Sequence, residues 1–114
     1  MVGNYLHDIT MDHYAKGWLA NGLYFDQGSG GPWSVQNNVL INVPFIPLHF
    51  NSGLGVDMSA ATWGTNYFDS RYQPTAAYGG PTSIPGQTFD VTNPPAVVSK
   101  LIKDAGPNSG KGNR

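Results

Sequence analysis

Two hydrophobic patterns alternate along the chain, each with the period of two that marks a strand with one buried face. The first runs Gly3-Asn4-Tyr5-Leu6-His7-Asp8 and returns as Asn37-Asn38-Val39-Leu40-Ile41-Asn42 and Thr65-Asn66-Tyr67-Phe68-Asp69-Ser70. The second runs Gly22-Leu23-Tyr24-Phe25-Asp26-Gln27-Gly28 and is echoed by Pro47-Leu48-His49-Phe50-Asn51-Ser52-Gly53, with Gly86-Gln87-Thr88-Phe89-Asp90 as a fainter copy. Each copy closes on an Asn, Asp or Gly corner. The patterns predict strands at Tyr5–Ile9, Leu23–Asp26, Val35–Val43, Leu48–Asn51, Asn66–Asp69 and Thr88–Val91. Recurrence about every 25 to 35 residues predicts stacked copies. Leu6, Leu40 and Phe68 then share one inward register, as do the pairs Leu23 with Leu48 and Phe25 with Phe50. Tyr24, Asp26, His49 and Asn51 are left on one outer face, with adjacent rungs about 4.8 Å apart.

Residues 10–21, with Met11, His13, Tyr14, Trp18 and Leu19, read as a helical turn or an irregular excursion, and Ser70–Pro85 as a surface loop. The period changes near the C-terminus. Val97, Val98, Leu101, Ile102 and Ala105 fall on one helical face, opened by Thr92 or Asn93 as N-cap with proline in the first turn and stopped by Gly106. The organisation read from these patterns is all-β: a short right-handed parallel β-helix of about three coils over residues 1–92, a closing helix over 93–106 and a disordered tail over 107–114.

Composition narrows the chemistry. Of 114 residues only 11% are charged against 39% hydrophobic, and six basic residues nearly balance seven acids. That balance gives no electrostatic footprint for nucleic acid, and no apolar run approaches membrane-spanning length. All acids are Asp, and there is no cysteine for disulfides or thiolate metal sites. No basic segment followed by an apolar stretch marks a signal peptide at the N-terminus. A surface made polar by Asn, Ser, Thr, Gln and Tyr suits neutral ligands such as sugars, and equally a passive scaffold.

The segments Asn4-Tyr5-Leu6-His7-Asp8, Gly22-Leu23-Tyr24-Phe25-Asp26-Gln27-Gly28-Ser29 and Val35-Gln36-Asn37-Asn38-Val39 resemble repeats of right-handed parallel β-helix proteins, nearest to carbohydrate-active glycoside hydrolases and polysaccharide lyases. The tail from Pro95 to Gly106 resembles the Ala-rich helix that closes those enzymes. The resemblance implies a secreted or periplasmic protein that acts on or binds a polysaccharide or oligosaccharide. Family members have many more coils, so the chain resembles their C-terminal coils or a small relative.

The resemblance implies a catalytic role for Asp26 in its Gly-Leu-Tyr-Phe-Asp context; the alternative is an Asx corner bonding Gln27-Gly28. Hydrolysis of a glycosidic bond usually takes two carboxyl groups, and one repeat later the matching position is Asn51, with Asp57 or Asp8 as distant substitutes. His49 beside that face suits a general base or a sugar hydrogen bond, or else a ring stacked beneath Tyr24. Tyr24, Trp33, Asn51 and Trp18 are the expected substrate-binding residues, because aromatic faces stack on sugar rings. Trp63, Tyr67 and Tyr72 compete for the same role or seal the core. His7 and Asp8 are expected to bond neighbouring turns, and Asn38 and Asn66 to form an internal amide ladder. No cofactor is expected. Calcium through Asp26, Asp57 or Asp69, and zinc or copper through His7, His13 and His49, are the metal sets the residue types allow. The expected partners are a glycan and a second copy stacked through exposed coil ends, with no nucleic acid or membrane. Three functions remain open: a glycoside hydrolase or lyase, a non-catalytic carbohydrate-binding module, and a structural or assembly piece.

Overall fold

The structure is a computed structural model that describes residues 1–9, 21–25, 32–44, 46–51, 61–72, 75–78 and 86–105. Its strands are β1 (Tyr5–His7), β2 (Asn21–Phe25), β3 (Ser34–Val35), β4 (Val39–Ile41), β5 (Ile46–Asn51), β6 (Thr62–Trp63), β7 (Asn66–Asp69), β8 (Thr75–Tyr78) and β9 (Gly86–Phe89), followed by the helix α1 (Ala96–Asp104). Three small sheets form, in the orders β1-β4-β7-β9, β2-β5-β8 and β3-β6, and every strand pair is parallel.

This corrects the expected fold class. In place of an all-β right-handed parallel β-helix, the described residues form three separate sheets of four, three and two strands together with one helix, and no closed solenoid. The repeats pair locally, but their spacing is uneven: 34 residues separate Asn4 from Asn38 and 28 separate Asn38 from Asn66. Among the described residues the sheets are correspondingly unequal.

Within each sheet the register follows the repeats. Leu6 pairs with Leu40, and Leu40 with Phe68; Leu23 pairs with Leu48 and Phe25 with Phe50. Period-2 alternation sends Leu23, Phe25, Leu40, Leu48 and Phe68 into one core with Val35 and Val43. The opposite face of the four-stranded sheet is apolar as well. Val39, Tyr67 and Phe89 point outward from it and are covered by Val98 of α1, with Leu101 and Ile102 alongside. A strand buried on both faces reads as an unbroken apolar run, which is why Val39-Leu40-Ile41 lacks polar alternation.

Several element bounds differ from the sequence reading. The strand expected over Val35–Val43 splits because Asn37, at φ 57°, adopts the left-handed region. The loop expected over Ser70–Pro85 contains β8, whose partner is the edge of β5, and β6 carries too little periodicity to announce itself. The helix begins later than Thr92 or Asn93. Its N-cap is Pro95, without a side-chain cap, since each residue before a proline is pushed out of the helical region. Asp90 holds the entry instead: its carboxylate accepts from Thr92 N at 2.9 Å and Thr92 Oγ1 at 2.7 Å. Residues 10–20, Asp26 and 106–114 lie outside the described residues, so the predicted excursion, the helix stop and the tail are not described.

Candidate functional site

Tyr24 and His49 are brought together by the β2–β5 register, in which they are direct partners. With Leu23 and Phe25 turned into the core, alternation places Tyr24 on the outer face, 41% exposed. The two rings stack at a centroid separation of 4.8 Å and an interplanar angle of 19°. The next register position across the sheet is Ala76 of β8. The result is a short aromatic platform with a polar edge on each ring, a surface that can offer a flat face to C–H groups and donors or acceptors to hydroxyls.

The other expected site residues are distributed differently. Asn51 ends β5 opposite Tyr78 and, two residues beyond His49, holds the same-face register position. Trp33 is 41% exposed. Its ring meets Phe25 edge-on at 6.5 Å, and Trp63 does the same at 5.9 Å. Phe25 points away from the face that carries Tyr24, so Trp33 belongs to the rim of the core rather than to the platform. Asp26, Trp18, His13 and Asp57 lie outside the described residues.

A second polar cluster occupies the corner after β1, β4 and β7. Asp8 and Asn42 take equivalent left-handed conformations, at φ 56° and 54°. Asn42 Nδ2 donates to Asp8 Oδ1 at 2.7 Å, and His7 Nδ1 lies 2.8 Å from Asp8 Oδ2. Asn42 N donates to Asp69 Oδ2 at 3.0 Å, and Tyr72 Oη donates to Asn42 Oδ1 at 3.1 Å. Asp69 is buried. Its carboxylate accepts from Arg71 N and Nε and, at 2.6 Å, from Arg71 Nη2. Burial pushes the Asp69 carboxyl upward, but the Arg71 guanidinium and the backbone N–H groups of Arg71 and Asn42 more than reverse this, leaving it below its ordinary range. Bonds from Asn42 and then His7 hold Asp8 low in the same way. Asp8 therefore bonds the neighbouring turn through Asn42, as expected, while His7 bonds Asp8 beside it and stacks on Tyr5. Asn42 and Arg71 were not singled out from the sequence; the recurrence of Asp8 and Asn42 at one repeat position was the available signal.

The cluster is built to hold a corner. Asp69 is committed to Arg71, and among the described residues no group of three or more His, Cys, Asp or Glu is placed to hold a metal ion. The described acids are Asp8, Asp69, Asp90 and Asp104, each engaged by a neighbour and each with its carboxyl held below the ordinary value. A glycosidic general acid needs a raised pKa to stay protonated near neutrality, and none of these four supplies it. Among the described residues no helix is long and apolar enough to cross a membrane.

No known protein family matches the chain, no curated protein matches it, and no solved structure matches it.

Proposed function

We propose that the chain is a carbohydrate-binding module that holds a neutral glycan on the Tyr24–His49 platform without cleaving it. The observation that carries this reading is the exposed, near-parallel stack of the two rings. A sugar ring laid on Tyr24 buries its C–H face against the aromatic surface, while the Tyr24 hydroxyl and the His49 imidazole reach ring hydroxyls. The low charge of the chain favours an uncharged ligand. Binding is preferred over hydrolysis because the described carboxylates are engaged and held ionised.

Native affinity electrophoresis through gels cast with neutral polysaccharides tests the proposal. The chain is expected to be retarded by at least one polymer, with retardation lost in Tyr24→Ala and weakened in His49→Ala, and no reducing ends released. Unretarded migration in every gel refutes binding. Release of reducing ends above the blank refutes the non-catalytic reading.

A further inference from the structure

Asn4, Asn38 and Asn66 form a ladder along one side of the four-stranded sheet, and its rungs repeat. Asn38 N and Nδ2 both donate to Asn66 Oδ1, at 3.3 and 2.9 Å. One rung up, Asn4 N and Nδ2 both donate to Asn38 Oδ1, at 3.1 and 2.9 Å. The backbone repeats with them: Tyr67 N donates to Asn38 O and Val39 N to Asn4 O, both at 2.8 Å. The ladder stops at Asn4 because β1 is the edge of its sheet. Asn4 Oδ1, turned away from Asn38 by the same geometry, accepts no hydrogen bond from the described residues. Asn4 O and Asp8 N bond toward β4, so strand alternation turns the N–H and C=O groups of Tyr5 and His7 outward along an edge that no described strand pairs. A cavity of about 520 Å³ opens over this edge, lined by Asn4, Tyr5, Leu6, Leu23 and Ile102 among others.

We propose that this edge is a docking site for an extended segment of a partner polypeptide with the pattern Asn-apolar-apolar, added to β1 as a fifth parallel strand. The complementarity is electrostatic and specific in register. The partner's Asn N–H and side-chain amide donate to the open Asn4 Oδ1, and its carbonyl accepts from Tyr5 N–H. Its next residue lies beside Tyr5 and Ile102, and the one after that covers Leu6 and Leu23. The same pattern already occupies the two inner rungs, as Asn38-Val39-Leu40 and Asn66-Tyr67-Phe68. The far edge strand of a second copy fits poorly, because β9 has Gly86 at the Asn position. The β1 edge and the Tyr24–His49 platform are separate surfaces, so the two proposals stand or fall independently.

The test is titration of the full chain with a synthetic peptide of the sequence Gln-Asn-Asn-Val-Leu-Ile-Asn-Val, copied from residues 36–43, followed by calorimetry and amide NMR. Saturable binding is expected, with the largest shifts at Tyr5 and His7 and loss of about tenfold in affinity when the peptide's second Asn is replaced by Ala, since Asn4 Oδ1 then loses the side-chain donor and keeps only the peptide N–H. Changing the peptide leaves the folding of the chain untouched; Asn4→Ala in the chain should lower affinity in parallel. Absence of binding, equal affinity of the Asn and Ala peptides, or shifts away from β1 overturns the proposal. So does concentration-dependent self-association that the peptide cannot displace, which makes a second copy the occupant.

Discussion

Replacing Asn38 by Ala isolates the contribution of the amide ladder. The side chain is fully buried and takes part in four hydrogen bonds: Oδ1 accepts from Asn4 N and Nδ2, and Nδ2 donates to Met1 O and Asn66 Oδ1, all at 2.9–3.1 Å. Truncation removes all four. Asn66 Oδ1 keeps the donor Asn38 N, and Asn4 and Met1 lie near enough to solvent to recover water. The loss is then the net worth of the bonds, about 0.5–1 kcal/mol each, for a total of about 2–4 kcal/mol. Against a stability of about 5–15 kcal/mol for a domain of this kind, that is a large fraction. Urea unfolding followed by Trp fluorescence should show the midpoint lowered by about 1–3 M at unchanged slope. Asn38→Asp sharpens the test by keeping the shape while setting a carboxylate against Asn66 Oδ1 and Met1 O. The folded-state pKa of that carboxyl is raised, so its deficit is smallest below about pH 4, where the acid is protonated in both states, and grows as pH rises above it. A midpoint for Asn38→Ala within about 0.3 M of the parent refutes the claim that the ladder stabilises the sheet.

Gly22→Ala should destabilise by about 1–3 kcal/mol in the same assay, because a Cβ there would lie 2.5 Å from both Leu40 Cδ2 and Pro47 O, and the second is backbone that cannot step aside. Leu40→Ala, at the centre of the main core, should cost about 2–5 kcal/mol, and a smaller loss would place the core elsewhere. In the native chain Asp69 is held low, so its stabilising effect is present above its unfolded pKa and is lost as pH falls through the lower folded value. Arg71→Ala removes the guanidinium and leaves burial opposed only by the two backbone N–H groups, so that carboxyl rises relative to the parent. The variant should be weaker by about 1–2 kcal/mol at pH 7, less than for a fully buried pair because half of Arg71 is in water, and should recover on acidification. Parallel pH profiles for Arg71→Ala and the parent would refute this account of the corner.

Much of the register was legible before any coordinates. The repeats align Leu6 with Leu40 and Phe68, and Leu23 with Leu48, because an in-register parallel stack sets like residues over like and one slipped residue would turn each apolar side chain to the wrong face. Asn38 and Asn66 were legible as a ladder for the same reason: a buried amide needs a partner, and the repeat places one a rung away. The pairing of Tyr24 with His49 followed too, and the structure stacks the two rings. The sequence could not show which way Trp33 turns, because an aromatic beside a corner looks alike on either face; its edge contact with Phe25 became legible only in the tertiary structure.

By itself the sequence determined the local rules: which positions alternate, where chain direction changes at Asn, Asp and Gly, and that α1 has one apolar face. Those rules act over a few residues and are fixed by backbone sterics and side-chain burial. The global closure of the strands was beyond them. Repeats of uneven spacing leave open how many strands each sheet gathers, and among the described residues the answer is four, three and two rather than complete coils. The tertiary structure also decided that the Arg71–Asp69 pair and Asn42 knit one corner, since residues 30 positions apart bond only once the sheet has set their distance. It decided as well that, among the described residues, the ladder ends at Asn4, because no further described strand arrives beside β1.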